Sequence, residues 1–401
     1  MDFAAYVPLG VLGLVRWISW LIRRVPAALY RPYRTSYREP ITVVTPVYQE
    51  DPDIFRAAIR SWLANDVQEV IAVIDVTDKA AVRVAKEEDV TVIVTDVPGK
   101  RDALRKGWEA ASTPLVALVD SDTVWAGDVA ERVCEPFADP GVGGVGTRQN
   151  VYNPSSVWQS LADMYLDYRY FDELAAQTMA GEAVSCLSGR TAVYRREVLL
   201  AVSDDFMNER FLGVPCNSGE DKRLTMLVLR RGMRTCLQRS ARVWSTFPDK
   251  PRQFLRQRIR WSRNTWRSDL RSLGQGWVLR RHRFLAFCML DKAASSFTLL
   301  VSPVYMGLAV SRGHWAFCAV LAAWWMVSRS AKLLPHLQRQ PRHLLLMPVF
   351  IVMSFVMAMV KIYALATIRR QRWLTRDVAV IGGKLTRTQT GPTHVVGEGA
   401  A

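Results

Sequence analysis

The residues best suited to catalysis are two aspartates near the middle of the chain, placed where an apolar run ends. Leu115–Val119 is wholly apolar and leads into Asp120, Ser121 and Asp122. The run predicts a buried strand, so the two carboxylates lie where that strand turns into a loop. Oxygen ligands of this kind suit Mg²⁺ or Mn²⁺ holding a diphosphate. The alternative is an ordinary strand-end turn or helix cap, in which Asp and Ser are common.

Other polar residues follow the ends of neighbouring predicted strands. Four apolar runs predict strands, separated by segments with helical spacing: Ile41–Val47, Val70–Asp75, Val90–Thr95 and Leu115–Asp120. This alternation predicts an α/β fold with a mostly parallel sheet, in which ligands bind beyond the carboxyl ends of the strands. The candidate residues at such ends, besides the two aspartates, are Pro46, Tyr48, Glu50, Asp75 and Lys100. Their shared location indicates a single site.

A further acidic pair opens a helix predicted after Gly219. Glu220 and Asp221 occupy its first turn and are followed by Leu224, Leu227 and Leu229 at helical spacing. Acidic residues in a first turn commonly do no more than stabilise the helix dipole. The chemical interpretation makes Asp221 a general base at the edge of the same crevice.

A strongly basic helix is predicted over residues 252–273 and contains Gln257, Arg258, Arg260 and Trp261. The ordinary meaning of such a run is a solvated or membrane-surface basic face. The functional interpretation uses Arg260 to neutralise a diphosphate leaving group and Trp261 as a stacking platform for a sugar ring.

Composition indicates a membrane-associated protein. Half of the 401 residues are hydrophobic, and the formal net charge is +16. Clustered apolar segments predict membrane helices, and the basic residues after the first of them place the following domain on the cytoplasmic side. The segments are Ala4–Ile22, Phe284–Val310, Trp315–Val327 and His343–Ile368. Anionic lipids and phosphorylated substrates therefore explain the charge better than nucleic acid does.

Several segments have a simpler interpretation. Gly141–Gly146 lacks a phosphate-loop pattern and predicts a turn entering a strand, and Ser156–Gln177 predicts a long helix with an aromatic face. Val184–Tyr194 predicts a strand interrupted at Ser188-Gly189. Asp291 and Lys292 interrupt an apolar segment, which indicates either that they line a channel or that they form a structural ion pair with other segments. The six cysteines form no metal-binding pattern and predict reduced thiols.

In combination these motifs resemble the processive membrane-bound glycosyltransferases of family 2, and bacterial hyaluronan synthases in particular. Chitin synthases, chitooligosaccharide synthases and cellulose synthases are related families. The matching motifs run in the family's order from about residue 38 to 376: Thr45–Glu50, Asp75, Gly99-Lys100-Arg101, Asp120-Ser121-Asp122, Ser188-Gly189, Gly219–Arg223, Gln257–Trp261 and Trp373–Arg376.

The chain also departs from the family pattern at three places. Asp75 is followed by Val-Thr-Asp where the family often has Asp-Gly-Ser. Leu374 replaces the glycine of a Trp-Gly-Thr-Arg motif, and one apolar segment precedes the catalytic region where hyaluronan synthases usually carry two. These differences bear on the identity of the polymer more than on the chemistry.

The resemblance implies a GT-A catalytic domain that uses UDP-sugars and Mg²⁺ or Mn²⁺ and extends a growing polysaccharide at the cell membrane. It implies roles in catalysis for Glu220, Asp221, Arg260 and Trp261, and in metal binding for Asp120 and Asp122. It implies acceptor contacts for Cys186, Ser188, Gly189 and Trp261. It implies donor contacts for Pro46, Tyr48, Glu50, Asp75, Lys100, Arg101, Asp120, Gln257, Trp373 and Arg376.

The sequence therefore predicts five regions and leaves two rival functions open. The regions are an N-terminal membrane helix with a basic linker (1–37), a cytosolic catalytic domain (38–250), an amphipathic interface helix (251–280), a C-terminal membrane region (281–376) and a disordered tail (377–401). One rival is an enzyme that transfers a single sugar to a polyprenyl phosphate. The other is a non-catalytic membrane scaffold or a nucleotide-sugar carrier, which leaves the carboxylates at successive strand and helix ends unexplained.

Overall fold

The computed structural model describes residues 6–370 and the backbone of residues 378–381 and 384–387. The first part of the chain alternates strands and helices in the order α1 (Val7–Leu29), β1 (Ile41–Val47), α2 (Pro52–Leu63), β2 (Glu69–Asp75), α3 (Lys79–Glu87), β3 (Thr91–Thr95), α4 (Lys100–Ala110), β4 (Leu115–Val119), β5 (Thr123–Trp125), α5 (Val129–Cys134) and β6 (Val142–Val151). The apolar runs end at polar residues, so the predicted strand bounds agree with the observed ones within about one residue.

The second part continues with helices and shorter strands. These are α6 (Val157–Tyr168), α7 (Leu174–Gly181), β7 (Thr191–Arg195), α8 (Arg196–Met207), β8 (Arg210–Phe211), β9 (Val214–Pro215), α9 (Glu220–Arg230) and β10 (Arg234–Ser245). A π-helical turn, Arg169–Glu173, joins α6 to α7. The long helix predicted over Ser156–Gln177 is therefore present, with one wide turn in its middle.

The C-terminal part is helical and ends in a hairpin. Its elements are α10 (Pro251–Gly274), α11 (Trp277–Arg281), α12 (Arg283–Thr298), α13 (Val301–Ser311), α14 (Trp315–Lys332), α15 (Leu334–Arg339), α16 (Met347–Ala366), β11 (Val378–Ile381) and β12 (Lys384–Arg387). A short 3₁₀ segment, Pro341–Leu346, precedes α16. The antiparallel pairing of β11 with β12 lies where the sequence predicted a tail without regular structure.

Eight strands form one mixed sheet in the order β3-β2-β1-β4-β7-β6-β10-β5. The first four strands are parallel, and β6 is parallel to β10, whereas β7 runs antiparallel between β4 and β6. Val44 lies opposite both Ile71 and Leu118, which fixes the register of the central strands. The carboxyl ends of β1, β2 and β4 consequently meet at one edge of the sheet.

Apolar side chains pack on both faces of this sheet. Val44 and Trp108 belong to one core, and Val43 and Trp62 belong to the other, because alternate residues of a strand point to opposite faces. Phe350 of α16 packs into the first core, so this C-terminal helix shares a hydrophobic core with the sheet.

One predicted strand needs correction, and two other segments are now defined more closely. The strand predicted over Val184–Tyr194 begins only at Thr191, so Ser188 and Gly189 lie in a loop. The predicted turn lies at Gly141 and enters β6 at Val142, where Gly143, Gly144 and Gly146 leave room for side chains such as Met233 and Leu187. The apolar segment Phe284–Val310 is divided at Leu299-Leu300 into α12 and α13.

Among the described residues, two helical stretches are long and apolar enough to cross a membrane, Arg283–Ser311 and Pro341–Ala366. The predicted first span, Ala4–Ile22, corresponds to α1, which is not one of them. Arg16 and Arg23 of α1 form ion pairs with Asp291 of α12. Val11, Leu14 and other apolar residues of α1 are nonetheless exposed.

Candidate active site

Most of the predicted site residues line one cavity of about 460 Å³ at the carboxyl edge of the sheet. They come from strand ends, from the first turns of α4 and α9, from the loop before β7 and from α10. The predicted residues in its wall are Pro46, Glu50, Lys100, Asp120, Asp122, Cys186, Ser188, Gly189, Glu220, Asp221, Gln257, Arg260 and Trp261. The fold therefore brings together residues that are up to 215 positions apart in the chain.

A smaller pocket of about 30 Å³ adjoins this cavity. Tyr48 and Asp75 line it, and it shares Pro46 and Lys100 with the larger cavity. Asp75 accepts a hydrogen bond from Thr77 at 2.6 Å, so its carboxylate is held at the end of β2. Pro46, Tyr48, Asp75 and Lys100, which line this pocket, are all residues for which the resemblance implies donor contacts.

Lys100 lies between two carboxylates, Asp120 after the end of β4 and Glu220 at the beginning of α9. Its Nζ lies 2.5 Å from Asp120 Oδ1 and 2.9 Å from Glu220 Oε1. Burial raises the pKa of Glu220, but the Lys100 ammonium more than reverses this effect, so the pKa lies at about 2. A Cβ on Gly189 would lie 3.1 Å from Lys100 Nζ and 3.6 Å from Asp120 Oδ1, so this loop leaves little space for a side chain.

Asp122 provides a second carboxylate in the cavity wall. Its Oδ2 accepts hydrogen bonds from the backbone N–H and the hydroxyl of Thr246. Burial raises the pKa of Asp122, and the Arg190 guanidinium opposes that rise. Asp120 adds a further raising effect. A half-buried carboxylate next to a second one is a donor set that suits a divalent cation.

Asp221 has the properties of a general base. Its Oδ1 accepts a hydrogen bond from the Lys222 N–H at 2.7 Å, and its Oδ2 lies 3.6 Å from Cys186 Sγ. Burial and the Glu220 carboxylate both raise the pKa of Asp221, while Lys100 lowers it. Burial also raises the pKa of Cys186 to about 12, which keeps the thiol protonated as a weak donor to this carboxylate.

Arg260 and Trp261 form the wall contributed by α10. Burial lowers the pKa of Arg260, and the carboxylates of Glu220, Asp221 and Asp120 oppose that change. Its Nε is buried without a hydrogen-bond partner among the residues that the structure describes. A cation held in this way suits a ligand that brings its own negative charge.

Three charged residues of this cavity were missed by the sequence analysis. The Arg190 guanidinium lies 4.1 Å from the ring centre of Phe247 and 5.3 Å from that of Trp261. Arg169 and Glu173 stand at either end of the π-helical turn and both line the cavity. Asp163, Asp167 and Asp172 lie in the same stretch, so no charge pattern in the sequence singles these two residues out, although π turns often occur at functional sites. Arg190 is adjacent to the Ser188-Gly189 motif.

One described residue among the predicted donor contacts, Arg101, lines neither the cavity nor the smaller pocket. Arg101 is buried, donates to the carbonyl of Phe206 at 2.6 Å and pairs with Glu209. These contacts join α4 to the last turn of α8 and to the segment that follows it, so the residue has a structural position. Trp373 and Arg376 lie outside the described residues.

Asp291 and Lys292 have different environments. Asp291 is buried and paired with Arg16 and Arg23, which is the structural ion pair that the sequence left open as an alternative. Lys292 lies 3.4 Å from Glu173 and lines the active-site cavity.

A second group of possible metal ligands comprises Asp163, Asp167 and His336, whose ligand atoms lie within 4.8 Å of one another. None of them lines the active-site cavity. Asp167 already pairs with Arg339 at 2.7 Å and Arg148 at 3.3 Å, so a cation at this place would compete with two guanidinium groups. The strand-end aspartates are the better donor set for a metal that serves catalysis.

Comparison with known proteins agrees with the geometry. A family model described as "Glycosyltransferase like family 2" matches residues 39–264. An N-acetylglucosaminyltransferase of Rhizobium meliloti (strain 1021) is 32% identical over 389 residues, covering 91% of this chain and 89% of that protein. A type 2 glycosyltransferase of Pyricularia oryzae is 27% identical over 402 residues, covering 91% of this chain and 81% of that protein.

A solved structure has a similar fold. The mannosyltransferase PcManGT from Pyrobaculum calidifontis, in complex with GDP-Man and Mn²⁺, aligns with a TM-score of 0.60 at 19% identity. The alignment covers 91% of this chain and 98% of that chain. Together with the family match, the fold and the cavity identify the chain as a glycosyltransferase that belongs to the glycosyltransferase-like family 2.

Proposed function

We propose that this enzyme transfers sugars from UDP-sugars with inversion and extends a β-linked, hyaluronan-like polysaccharide, which it secretes through its own helices. The observation that carries the catalytic part is Asp221, a half-buried carboxylate with a raised pKa in the same cavity as Lys100 and Asp122. A base must be ionised at the working pH and yet basic enough to take a proton, and a raised carboxylate pKa meets both needs.

The chemical step is a single displacement. Asp221 takes the proton of the acceptor hydroxyl as its oxygen attacks the anomeric carbon. The bond from that carbon to the diphosphate breaks, and UDP leaves with the electron pair. An α-linked donor thereby gives a β-linked product. Arg260 and Lys100 neutralise the charge that develops on the diphosphate, the kind of interaction that contributes most to such reactions.

The other residues bind and orient the reactants. Asp75 and the loop from Pro46 to Glu50 hold the uridine, and Trp261 supports the terminal sugar of the acceptor. Asp122, assisted by Asp120, would hold Mg²⁺ or Mn²⁺, which supplies Lewis-acid stabilisation of the leaving diphosphate. Manganese accompanies the nucleotide sugar in the mannosyltransferase of similar fold, which supports this choice. Trp373 and Arg376 remain predicted donor contacts.

The processive part of the proposal is supported by a second cavity of about 440 Å³ beside the first. The two cavities share five wall residues, which are Arg169, Glu173, Trp261, Thr265 and Lys292. Residues of α1, α12, α14 and α16 form much of the second wall. A chain that grows at Asp221 would enter this space. The proposal includes a location in the cell membrane with the catalytic domain on the cytoplasmic side, and the two apolar helical stretches Arg283–Ser311 and Pro341–Ala366 support the membrane part of it.

The second candidate is transfer of a single sugar to a polyprenyl phosphate. A cavity between helices beside the active site would also receive such a lipid. One experiment tests both candidates, because the products of polymerisation and of lipid transfer differ in size and solubility.

The deciding experiment supplies purified protein in detergent with Mn²⁺ or Mg²⁺ and with UDP-GlcNAc, UDP-glucuronate and UDP-glucose, singly and in pairs. UDP-GlcNAc is the first donor to test, because the Rhizobium relative is an N-acetylglucosaminyltransferase. High-mass product that a β-specific glycosidase degrades supports the proposal. A small, organic-soluble product favours lipid transfer, and release of UDP only from other nucleotide sugars contradicts the donor assignment.

A further inference from the structure

The second cavity is strongly cationic. Eight basic side chains line it, namely Arg16, Arg23, Arg169, Arg258, Lys292, Arg329, Lys332 and Lys361. Only two acidic side chains, Glu173 and Asp269, face them. Residues that meet the diphosphate in the proposed mechanism, such as Lys100 and Arg260, do not line this cavity. The negative charge of the donor's diphosphate therefore does not explain the positive charge of the second cavity.

The acidic groups around this cavity are already engaged. Glu173 pairs with Lys292 at 3.4 Å, and Asp269 pairs with Lys222 at 2.6 Å. Asp291 pairs with both Arg16 and Arg23. Within residues 6–370, no carboxylate lies within ion-pair distance of Arg258, Arg329, Lys332 or Lys361, nor of Arg169. Repulsion among cations in a confined space is costly unless a counter-charge arrives.

Hydrogen-bond donors in the same wall also lack acceptors. Nε and Nη2 of Arg258, Nε1 of Trp325 and the hydroxyl of Tyr165 are buried with no partner among the described residues. Burial lowers the pKa of Arg258 to about 10, which still leaves it charged at neutral pH. Groups of this kind are completed by a ligand rich in acceptor oxygens.

We infer that the second cavity binds an acceptor that carries negative charge, a carboxylate or a phosphate, through Arg258, Arg329 and Lys332. This inference rests on the proposed function and narrows it to an anionic acceptor. Uronate residues of a growing polysaccharide and the phosphate of a lipid share this chemistry. Trp17, Trp324 and Trp325 in the same wall offer flat apolar surface for sugar rings or for a prenyl chain.

The test is a binding titration followed by tryptophan fluorescence, without donor. Two matched pairs of probes separate charge from shape. The first pair is a tetrasaccharide of alternating glucuronate and N-acetylglucosamine with neutral chitotetraose. The second is geranylgeranyl phosphate with geranylgeraniol. We expect the charged member of at least one pair to bind about tenfold or more tightly than its neutral partner, the effect of one charge-assisted hydrogen bond. The pair that shows this difference identifies the source of the charge.

Substitutions test whether Arg329 and Lys332 cause the preference for charged probes. Arg329→Gln with Lys332→Gln should weaken the charged probe about tenfold and leave the neutral probe unchanged, whereas Arg329→Lys with Lys332→Arg should retain the preference. The matched control is Arg252→Gln with Arg256→Gln, which removes two exposed charges of α10 that line neither cavity. If the first variant does not fold, the comparison of probes on the native protein decides alone.

The outcomes are distinct from those of the proposed function. Equal binding of charged and neutral probes, or no binding of either charged probe by folded protein, overturns the anionic acceptor. A protein that prefers the charged probes and yet releases no UDP from any donor overturns the proposed catalytic function instead.

Discussion

Replacing Lys100 by methionine should shift the pH dependence of the enzyme and reduce its stability. Lys100 is 14% exposed and lies 2.5 Å from Asp120 and 2.9 Å from Glu220. Its ammonium holds the pKa of Glu220 at about 2, below the ordinary 4.5, despite burial. Removing one partner of a buried ion pair leaves the other charge unpaired and typically costs about 3–5 kcal/mol.

The sign of the stability effect follows from the lowered pKa. The native enzyme gains this stability above about pH 4.5 and loses it as the pH falls towards about 2. Lys100→Met removes the contribution, so the variant should be less stable by about 3 kcal/mol at neutral pH, with the deficit narrowing in acid. Thermal unfolding of the two proteins at several pH values measures this.

The same change should alter catalysis through Asp221. Lys100 lowers the pKa of Asp221, so its loss raises that pKa, and the acid limb of the kcat profile for UDP release should move to higher pH by about one unit or more. Glu220→Gln is the control of opposite sign. It removes a negative charge that raises the pKa of Asp221, and its acid limb should move to lower pH. If the acid limbs of both variants move in the same direction, the assignment of Asp221 as the base is refuted.

The remaining predictions concern the leaving group, the acceptor platform and the core. Arg260→Ala should lower turnover more than donor affinity, and the reverse split between kcat and KM would count against its role at the diphosphate. Trp261→Phe should retain most of the acceptor affinity that Trp261→Ala loses, and equal losses in an acceptor titration would indicate a structural role. Gly107→Ala should destabilise the protein by about 1–3 kcal/mol, because the new Cβ would lie 2.2 Å from Val44 Cγ1. Gly127→Ala, with no atom within 4 Å of the new Cβ, should change the melting temperature little, and equal effects would contradict the packing argument.

The central strands could be predicted because they are short apolar runs bounded by polar residues. β1 was predicted with its observed bounds, and β2 begins one residue earlier than expected. The location of the site followed from the same pattern, since the carboxyl ends of parallel strands meet at one edge. Lys100, Asp120 and Asp221 could be proposed as site residues because each lies in the first turn of a helix or directly after a strand.

Residues whose position depends on irregular or distant structure were less predictable. Arg169 and Glu173 face the cavity because a π-helical turn changes the direction of α6, which no simple helical period describes. Arg190 lies near enough to Asp122 to lower its pKa, because β7, which follows Arg190, inserts antiparallel between β4 and β6. Arg101 was misassigned because its neighbour Lys100 faces the site, whereas its own partner, Glu209, is more than one hundred residues away.

The charges of the C-terminal helices show the same limit. The sequence left open whether Asp291 and Lys292 line a channel or form ion pairs with other segments, and the structure gives them different partners, Arg23 and Glu173 respectively. Helical residues at i and i+1 do not share a face, and only the packing of α1 and the π-helical turn against α12 shows which charge meets which. The basic side chains of the second cavity likewise come from parts of the chain that are distant in sequence, namely the helices α1, α10, α12, α14 and α16 and the π-helical turn.

The most direct test of the account compares Asp221→Asn with the native enzyme in two measurements, UDP release from UDP-sugar and equilibrium binding of UDP. Because Asp221 is assigned to the acceptor proton and not to the nucleotide, the variant should lose turnover and keep nearly native UDP affinity. Turnover that survives the substitution, or UDP binding lost by a folded variant, would contradict the assignment of Asp221 as the catalytic base.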